Sequence, residues 1–337
     1  MWRSRTEVAW TTGTSTSELD DGAAAAQMPV ERGHSGTWRL FRRPAHLLYA
    51  ICGVELVGSV GLALSMGFRT AGRAPLLPHV YCVMLVLCGP LLRRIEKPRM
   101  AGAFETVGFL YGQSFALAAL LYPMTAIAGP FADAELSSAD RALGFDWLAL
   151  ANMIRDRPLL LSFLWIAYLS FNWQGAVIMP ALFAVGRSAR AWVTILGANI
   201  ALLATILIYP FVPAQAAFTY NGISSAQYPN MTAQVAWLTA PAIHAIRDNG
   251  VRLITPDLLV AFVTFPSFHA AAAVLLVWAA WPVKALRWPF LLLNLCMAFS
   301  ALIVGAHYLV DLIGGAFVAW ISIVIARRVL KGFPSPA

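Results

Sequence analysis

The chain has 337 residues, of which 59% are hydrophobic and only 12% charged, with a mean hydropathy of +0.69. That balance excludes an ordinary soluble domain, in which about a quarter of the residues are charged. The formal net charge is +8, but the basic residues sit in short turns between apolar runs, a distribution that orients membrane spans and implies no nucleic-acid partner.

Residues 1–43 are polar, rich in Thr, Ser, Gly and Ala, and lack the apolar core of a signal peptide. They predict a disordered cytoplasmic tail ending in Arg39, Arg42 and Arg43. From 44 to 330 the sequence predicts one all-α integral membrane domain, a bundle of about eight transmembrane helices, because a crossing takes about 20 apolar residues. The predicted spans are 44–67, 75–92, 101–128, 159–183, 191–212, 266–283, 289–306 and 308–327. Cys52, Cys82, Cys88 and Cys296 fall inside these runs with no ligand spacing, as reduced packing residues.

Fourteen basic residues fall at one set of span ends: Arg39, Arg42, Arg43, Arg93, Arg94, Lys97, Arg99, Arg187, Arg190, Lys284, Arg287, Arg327, Arg328 and Lys331. Seven fall at the other: Arg69, Arg73, Arg141, Arg155, Arg157, Arg247 and Arg252. The richer set belongs in the cytoplasm, which turns His269 and His307 to the outer face. Two long outer loops, 130–158 and 213–264, each contain a stretch near helical spacing. They are amphipathic helices lying at the interface or plain connections. Asn230-Met231-Thr232 is an isolated match to a glycosylation pattern.

His269 and His307 stand at the mouths of two apolar runs, separated by a basic turn at 284–288. A chain that crosses and returns brings both histidines to one face. Ionisable groups at span ends are functional candidates, since burying them is costly. Pro266 suits the first turn of a helix, with Thr264 as its N-cap. That turn would offer backbone N–H groups, the Ser267 hydroxyl and the His269 ring to an anion, and His269 can supply a proton near neutral pH. Asp311 follows His307 by four residues, within reach of its ring. A carboxylate on one ring nitrogen fixes the tautomer and frees the other nitrogen for attack. His307 is therefore a candidate nucleophile toward phosphorus and Asp311 its orienter. Ser300 shares their stripe only if the helix ran through the turn at Gly305, which leaves it between packing and substrate contact. Gly305 leaves room for a substrate, and Gly314 and Gly315 allow close helix packing. Tyr168, Asn172 and Gln174 form a polar patch in the fourth span, read as interhelical hydrogen bonds. No metal-ligand set is present and no cofactor is implied.

Ser300-Ala301, five residues, His307, three residues and Asp311 resembles the third motif of the type-2 phosphatidic acid phosphatase superfamily, Ser-Arg-x(5)-His-x(3)-Asp. Pro266-Ser267-Phe268-His269 is similar to its second motif, Pro-Ser-Gly-His. The resemblance implies a six-helix phosphatase-like core, His307 as nucleophile with Asp311, His269 as general acid for the leaving group, and Ser267 as a phosphate contact. It also implies a lipid phosphate substrate, with or without an alcohol acceptor, in contact with membrane lipids. Three departures stand out: Ala301 replaces the family arginine, Phe268 replaces the glycine, and no Lys-x(6)-Arg-Pro occurs upstream. The segments 140–147, 264–270 and 305–311 resemble instead the inositolphosphotransferase branch, which includes the inositol phosphorylceramide synthases. Arg141, Arg155, Arg157, Arg247 and Arg252 are candidates for the missing phosphate clamp, or interfacial anchors. The expectation is a metal-independent hydrolase or phospho-alcohol transferase of a bacterial inner membrane, working on its extracytoplasmic face through a phosphohistidine. The competing class is a transporter or scaffold that retains the fold, which would have no need of His307 and Asp311 together.

Overall fold

The computed structural model describes residues 43–71, 76–228, 234–255, 258 and 263–333. The predicted tail, Arg43 excepted, and the Asn230-Met231-Thr232 match lie outside them. The described residues form thirteen α-helices. The first eight are α1 (Pro44–Ser65), α2 (Leu76–Arg94), α3 (Pro98–Ala126), α4 (Asp133–Ala142), α5 (Trp147–Arg155), α6 (Pro158–Leu169), α7 (Phe171–Ala184) and α8 (Ser188–Ile208). They are followed by α9 (Ala217–Tyr220), α10 (Gln234–Arg247), α11 (Phe268–Ala280), α12 (Lys284–Ile303) and α13 (Leu309–Leu330). One two-residue parallel pairing, β1 (Arg69–Thr70) with β2 (Leu253–Ile254), ties the end of the first helix to the segment after α10.

The chain is an all-α, multi-pass membrane protein. Five helices (α1, α3, α8 with its short extension to Phe211, α12 and α13) are long and apolar enough to cross a bilayer. The pair α6 and α7 qualifies together as a sixth crossing. The helices α2 and α11 stand at the two remaining predicted spans. On α1, Val54 and Val57 are 73% and 74% exposed, an apolar outer face that suits contact with lipid. Inside, α3 packs against α1, α2, α7 and α8, and α11 sits among α7, α8, α12 and α13. A partly buried ion pair between Arg93 and Glu105, joined by the Tyr49 hydroxyl, fastens α2 and α1 to α3.

Three boundaries differ from the sequence reading. The predicted span 159–183 is two helices bent by 47°. The break falls at Ser170, whose hydroxyl donates back to the Ala167 carbonyl at 2.6 Å, and such back-bonding by serine bends helices. The basic turn at 284–288 is instead the first turn of α12, which starts five residues early because Val283 is its N-cap and its carbonyl accepts the Leu286 and Arg287 N–H groups. Pro289 then lies inside the helix. Finally, α11 begins at Phe268, with Ser267 rather than Thr264 as N-cap. Pro266 precedes the helix instead of opening it. Both long loops carry helices: α4 and α5 in the first, α9 and α10 in the second.

Helices α11 and α13 approach most closely where Gly315 faces the start of α11. A Cβ there would sit 2.1 Å from the Ser267 carbonyl oxygen, a backbone atom that cannot swing away. Gly315→Ala should therefore destabilise the protein by about 1–3 kcal/mol, the usual cost of overpacking. Gly58→Ala, on the open side of α1 with nothing within 4 Å, should be neutral or stabilising. Thermal unfolding in detergent measures both, and equal melting temperatures for the two variants would contradict this packing.

Candidate active site

Five residues link α12 to α13, and they carry His307. Ala306 sits at φ 53°, a left-handed conformation that a residue with a Cβ adopts only when its surroundings hold it there. The surroundings do hold it. The Ala217 N–H donates to the Ala306 carbonyl at 3.0 Å. The Trp147 indole N–H is shared between the Leu302 carbonyl at 3.0 Å and the His307 carbonyl at 3.1 Å. Asp140 accepts the N–H groups of Leu309 and Val310, each at 2.9 Å, and so caps α13 with a carboxylate where the helix dipole favours one. The Tyr308 hydroxyl donates to Asp133 at 2.9 Å, and Asp133 also accepts the Gln215 N–H. Burial pushes the carboxyls of Asp133 and Asp140 up from the usual range, while their hydrogen bonds pull them back. Burial, and then the nearby Asp133, pushes the Tyr308 phenol up. The sequence had marked the segment 140–147; it gave no sign of Asp133, whose partners are remote in the chain.

Within that frame His307 is held at both ring nitrogens. Nδ1 lies 3.2 Å from Asp311 Oδ2, which also accepts the Tyr308 N–H at 2.9 Å. Nε2 lies 3.2 Å from Ser267 Oγ. A carboxylate at Nδ1 assigns the proton to that nitrogen, so Nε2 presents its lone pair and the Ser267 hydroxyl donates to it. Asp311 and Ser267 are fully buried and His307 nearly so, at 4% exposed. The second carboxylate oxygen, Asp311 Oδ1, has no partner among the described residues.

Ser267 also joins the two helix starts. Its N–H donates to the Asp311 carbonyl at 2.9 Å, and its hydroxyl oxygen accepts the Ala270 N–H. Thr264, the predicted cap, is buried with its hydroxyl unpartnered among the described residues. The N-termini of the two helices therefore differ. That of α13 is filled by Asp140. At α11 the N–H groups of Phe268 and His269 have no acceptor among the described residues.

The return of the chain through α11 and α12 does bring the histidines together: the ring centroids of His269 and His307 are 6.5 Å apart, with planes at 57°. His269 stacks on Tyr168 at 4.1 Å and 20°, and Phe171 lies beside it at 5.2 Å. Neither His269 ring nitrogen has a hydrogen-bond partner among the described residues, which leaves both for a ligand. Tyr168 is thus a wall of the site, not the interhelical hydrogen-bonding group that the sequence suggested. Gln174 does fill that role, through Asn294 on α12. Gly305 gives space to the protein's own side chains, since a Cβ there would meet His307 at 2.8 Å and Tyr168 at 3.2 Å.

The remaining candidates have other partners. The Ser300 hydroxyl donates to the Met297 carbonyl at 2.7 Å inside α12, a packing contact. Arg141 is exposed on α4 and donates to Ser137. Arg247 lies over the Phe131 ring, 3.9 Å from its centroid, and bonds Asp248 and the Gly129 carbonyl. Arg252 donates to the Ile246 and Val251 carbonyls, and Arg155 lies over Tyr228. Ala301 is buried, and its carbonyl accepts the His307 N–H at 3.1 Å. Among the described residues no three His, Cys, Asp or Glu side chains cluster as a metal site.

A sequence profile of the PAP2 superfamily matches residues 134–325, from α4 to the last turns of α13, and encloses both histidines. No curated protein and no solved structure matches the chain.

The two aspartate caps allow a controlled comparison. Asp146 caps α5 by accepting the Ala149 N–H at 3.0 Å, and its carboxylate makes no hydrogen bond to the His307 loop among the described residues. Asp140→Ala and Asp146→Ala should each cost about 1–2 kcal/mol, the typical loss of an N-cap. Only Asp140→Ala should also cut turnover of a lipid phosphate by more than about tenfold, a loss of 1.4 kcal/mol or more in transition-state binding. Equal turnover in the two variants would mean that the Asp140 cap does not position the histidine.

Proposed function

The chain belongs to the PAP2 superfamily, and from that premise we propose that it transfers a phosphoryl or phospho-alcohol group of a membrane lipid through a phosphohistidine at His307. The carrying observation is the bond pair on that ring, Asp311 at Nδ1 and Ser267 at Nε2, with His269 beside it. The lone pair of His307 Nε2 attacks phosphorus and the bond from phosphorus to the leaving oxygen breaks. His269 gives its proton to the departing alkoxide. The neutral His269 then takes a proton from water or from an acceptor alcohol, whose oxygen displaces His307 and restores it. As the Nε2 lone pair turns to phosphorus, the Ser267 hydroxyl is released from it, and negative charge on the phosphoryl oxygens meets that hydroxyl and the open N–H groups of Phe268 and His269.

Charge favours the transferase branch within the superfamily. Among the described residues no arginine or lysine bonds His269, His307 or Asp311, and Ala301 occupies the position of the motif arginine. A site with this little positive charge suits a phosphodiester monoanion better than a phosphomonoester dianion. The substrate class is then a phospholipid diester, with a lipid or polyol hydroxyl as acceptor, as in the inositolphosphotransferases that segments 140–147, 264–270 and 305–311 resemble. The catalytic unit comprises residues 44–330, and the excess of basic residues at the opposite span ends supports a site on the outer face.

The test combines a substrate panel with trapping of the intermediate. Purified protein is given labelled phosphomonoester and phosphodiester lipids, with and without an alcohol acceptor, and acid-labile, base-stable phosphate on the protein is counted. His307→Ala should trap none. Asp311→Asn should fold but trap slowly, because a misoriented imidazole attacks poorly. His269→Ala should lose about 10²–10⁴-fold on ordinary lipids and much less on substrates with good leaving groups. Label on His307→Ala at the wild-type level would refute the mechanism, and a preference for monoesters would refute the branch.

The sidedness has its own test. A cysteine placed at the exposed Ser224, in the loop before α10, should react with an impermeant thiol reagent in intact cells, whereas one at Ser188, at the start of α8, should not. Labelling of the second position alone would put the histidines on the cytoplasmic face.

A further inference from the structure

At the end of the bundle remote from His307, three helix termini meet around a cavity of about 540 Å³. Its walls include Pro44 at the start of α1, Trp192 and Val193 in the first turns of α8, and Arg327, Arg328 and Lys331 at the end of α13. Arg327 follows Asp311 by sixteen residues on one helix, which at 1.5 Å per residue puts this cavity about 24 Å from the reaction centre.

Several independent features give the cavity an anionic preference. The side chains of Arg327, Arg328 and Lys331 make no ion pair or hydrogen bond among the described residues, and Arg187 and Arg190 lie near enough to add to the positive potential. The α1 and α8 termini facing it are both N-termini, and neither has a side-chain cap. Helix N-termini in that condition attract anions. Trp192 contributes to the apolar wall: it is 2% exposed, and its ring is fixed edge-on between Phe109 and Phe183.

We propose that this cavity is a binding site for an anionic phospholipid: the phosphate sits among Arg327, Arg328 and Lys331, and the chains lie along the apolar wall. Free phosphate shares the charge but not the apolar contact, and the cavity opens at the ends of membrane spans, where basic pockets between helices take lipid head groups. The site is separate from the reaction centre, and its ligand is bound and not transformed.

The probe is dihexanoyl phosphatidylglycerol, titrated by calorimetry into the full-length protein in a non-ionic detergent. Saturable binding is expected, at least tenfold stronger than that of dihexanoyl phosphatidylcholine. The double variant Arg327→Gln/Arg328→Gln should weaken it about 30-fold, from roughly fivefold per basic residue at a membrane surface. His307→Ala should bind as wild type. Absence of saturable binding, unchanged affinity in the double variant, or loss of binding in His307→Ala would each overturn the proposal. Inorganic phosphate binding as tightly as the lipid would overturn the lipid assignment.

Discussion

The arrangement depends on keeping one imidazole hydrogen-bonded at both nitrogens inside an apolar bundle. His307, in the link between α12 and α13, reaches Asp311 in the first turn of α13 and Ser267 at the N-cap of α11, so the starts of α11 and α13 must stay in register to a few tenths of an ångström. A buried carboxylate is tolerated only when it is paired, and Asp311 meets that condition through the His307 ring and the Tyr308 N–H. The Ser267 N–H bonded to the Asp311 carbonyl locks the two helices at the same point, and Gly315 lets them come that close. Removing any one of these contacts would leave the others without a fixed geometry.

A second layer, outside the spans, holds the loop in place. The strained backbone at Ala306 is bonded from α9, its neighbours from Trp147 at the head of α5, and the head of α13 from α4. Asp133 and Asp140 look in the sequence like the acidic residues of an ordinary surface loop. In the fold their carboxylates take up polar hydrogens at the start of α13. The consequence is directional: with the α13 terminus occupied by Asp140, the open backbone donors are those of α11, on the side where His269 stands.

The crossings made by α1, α3, α6 with α7, α8, α12 and α13 were legible because length and apolarity are properties of a contiguous segment. Among the described residues α2 and α11 do not reach a span by that measure. The pairing of His307 with Asp311 was legible from its i,i+4 spacing. What escaped the sequence depends on partners remote in the chain or on competition between neighbouring residues. Thr264, Pro266 and Ser267 could each open α11, and the choice went to Ser267, whose N–H meets Asp311 forty-four residues on. The bend at Ser170 comes from a single hydroxyl turning back on its own helix, which periodicity does not register. Tyr168 lies in an apolar run where a wall of the site and a packing residue have the same pattern, and only the return of α11 brings His269 against its face.

Position 301 bears on the kind of phosphate that such a site can accept. Ala301 is fully buried, packed with Trp147, Leu302 and Tyr308, and its carbonyl is already bonded to the His307 N–H. An arginine side chain would not fit there without displacing that packing, so the lack of the cation belongs to the design of the whole cluster. Arg141 and Arg247, two of the candidates for that role in the sequence, have other partners: Ser137 for the first, the Phe131 ring for the second. In the proposed reaction, the groups left to meet negative charge are a serine hydroxyl, two backbone N–H groups and a histidine that would also deliver a proton. Each extra unit of negative charge brought into an apolar cleft carries a desolvation cost of several kcal/mol unless a cation meets it. A dianionic monoester would bear that cost twice and a diester once. The same reasoning explains why relaxing the arginine need not relax the histidines: in that proposal the nucleophile and the acid act on the bonds at phosphorus whatever the charge of the ester, whereas a cation would serve only the additional charge.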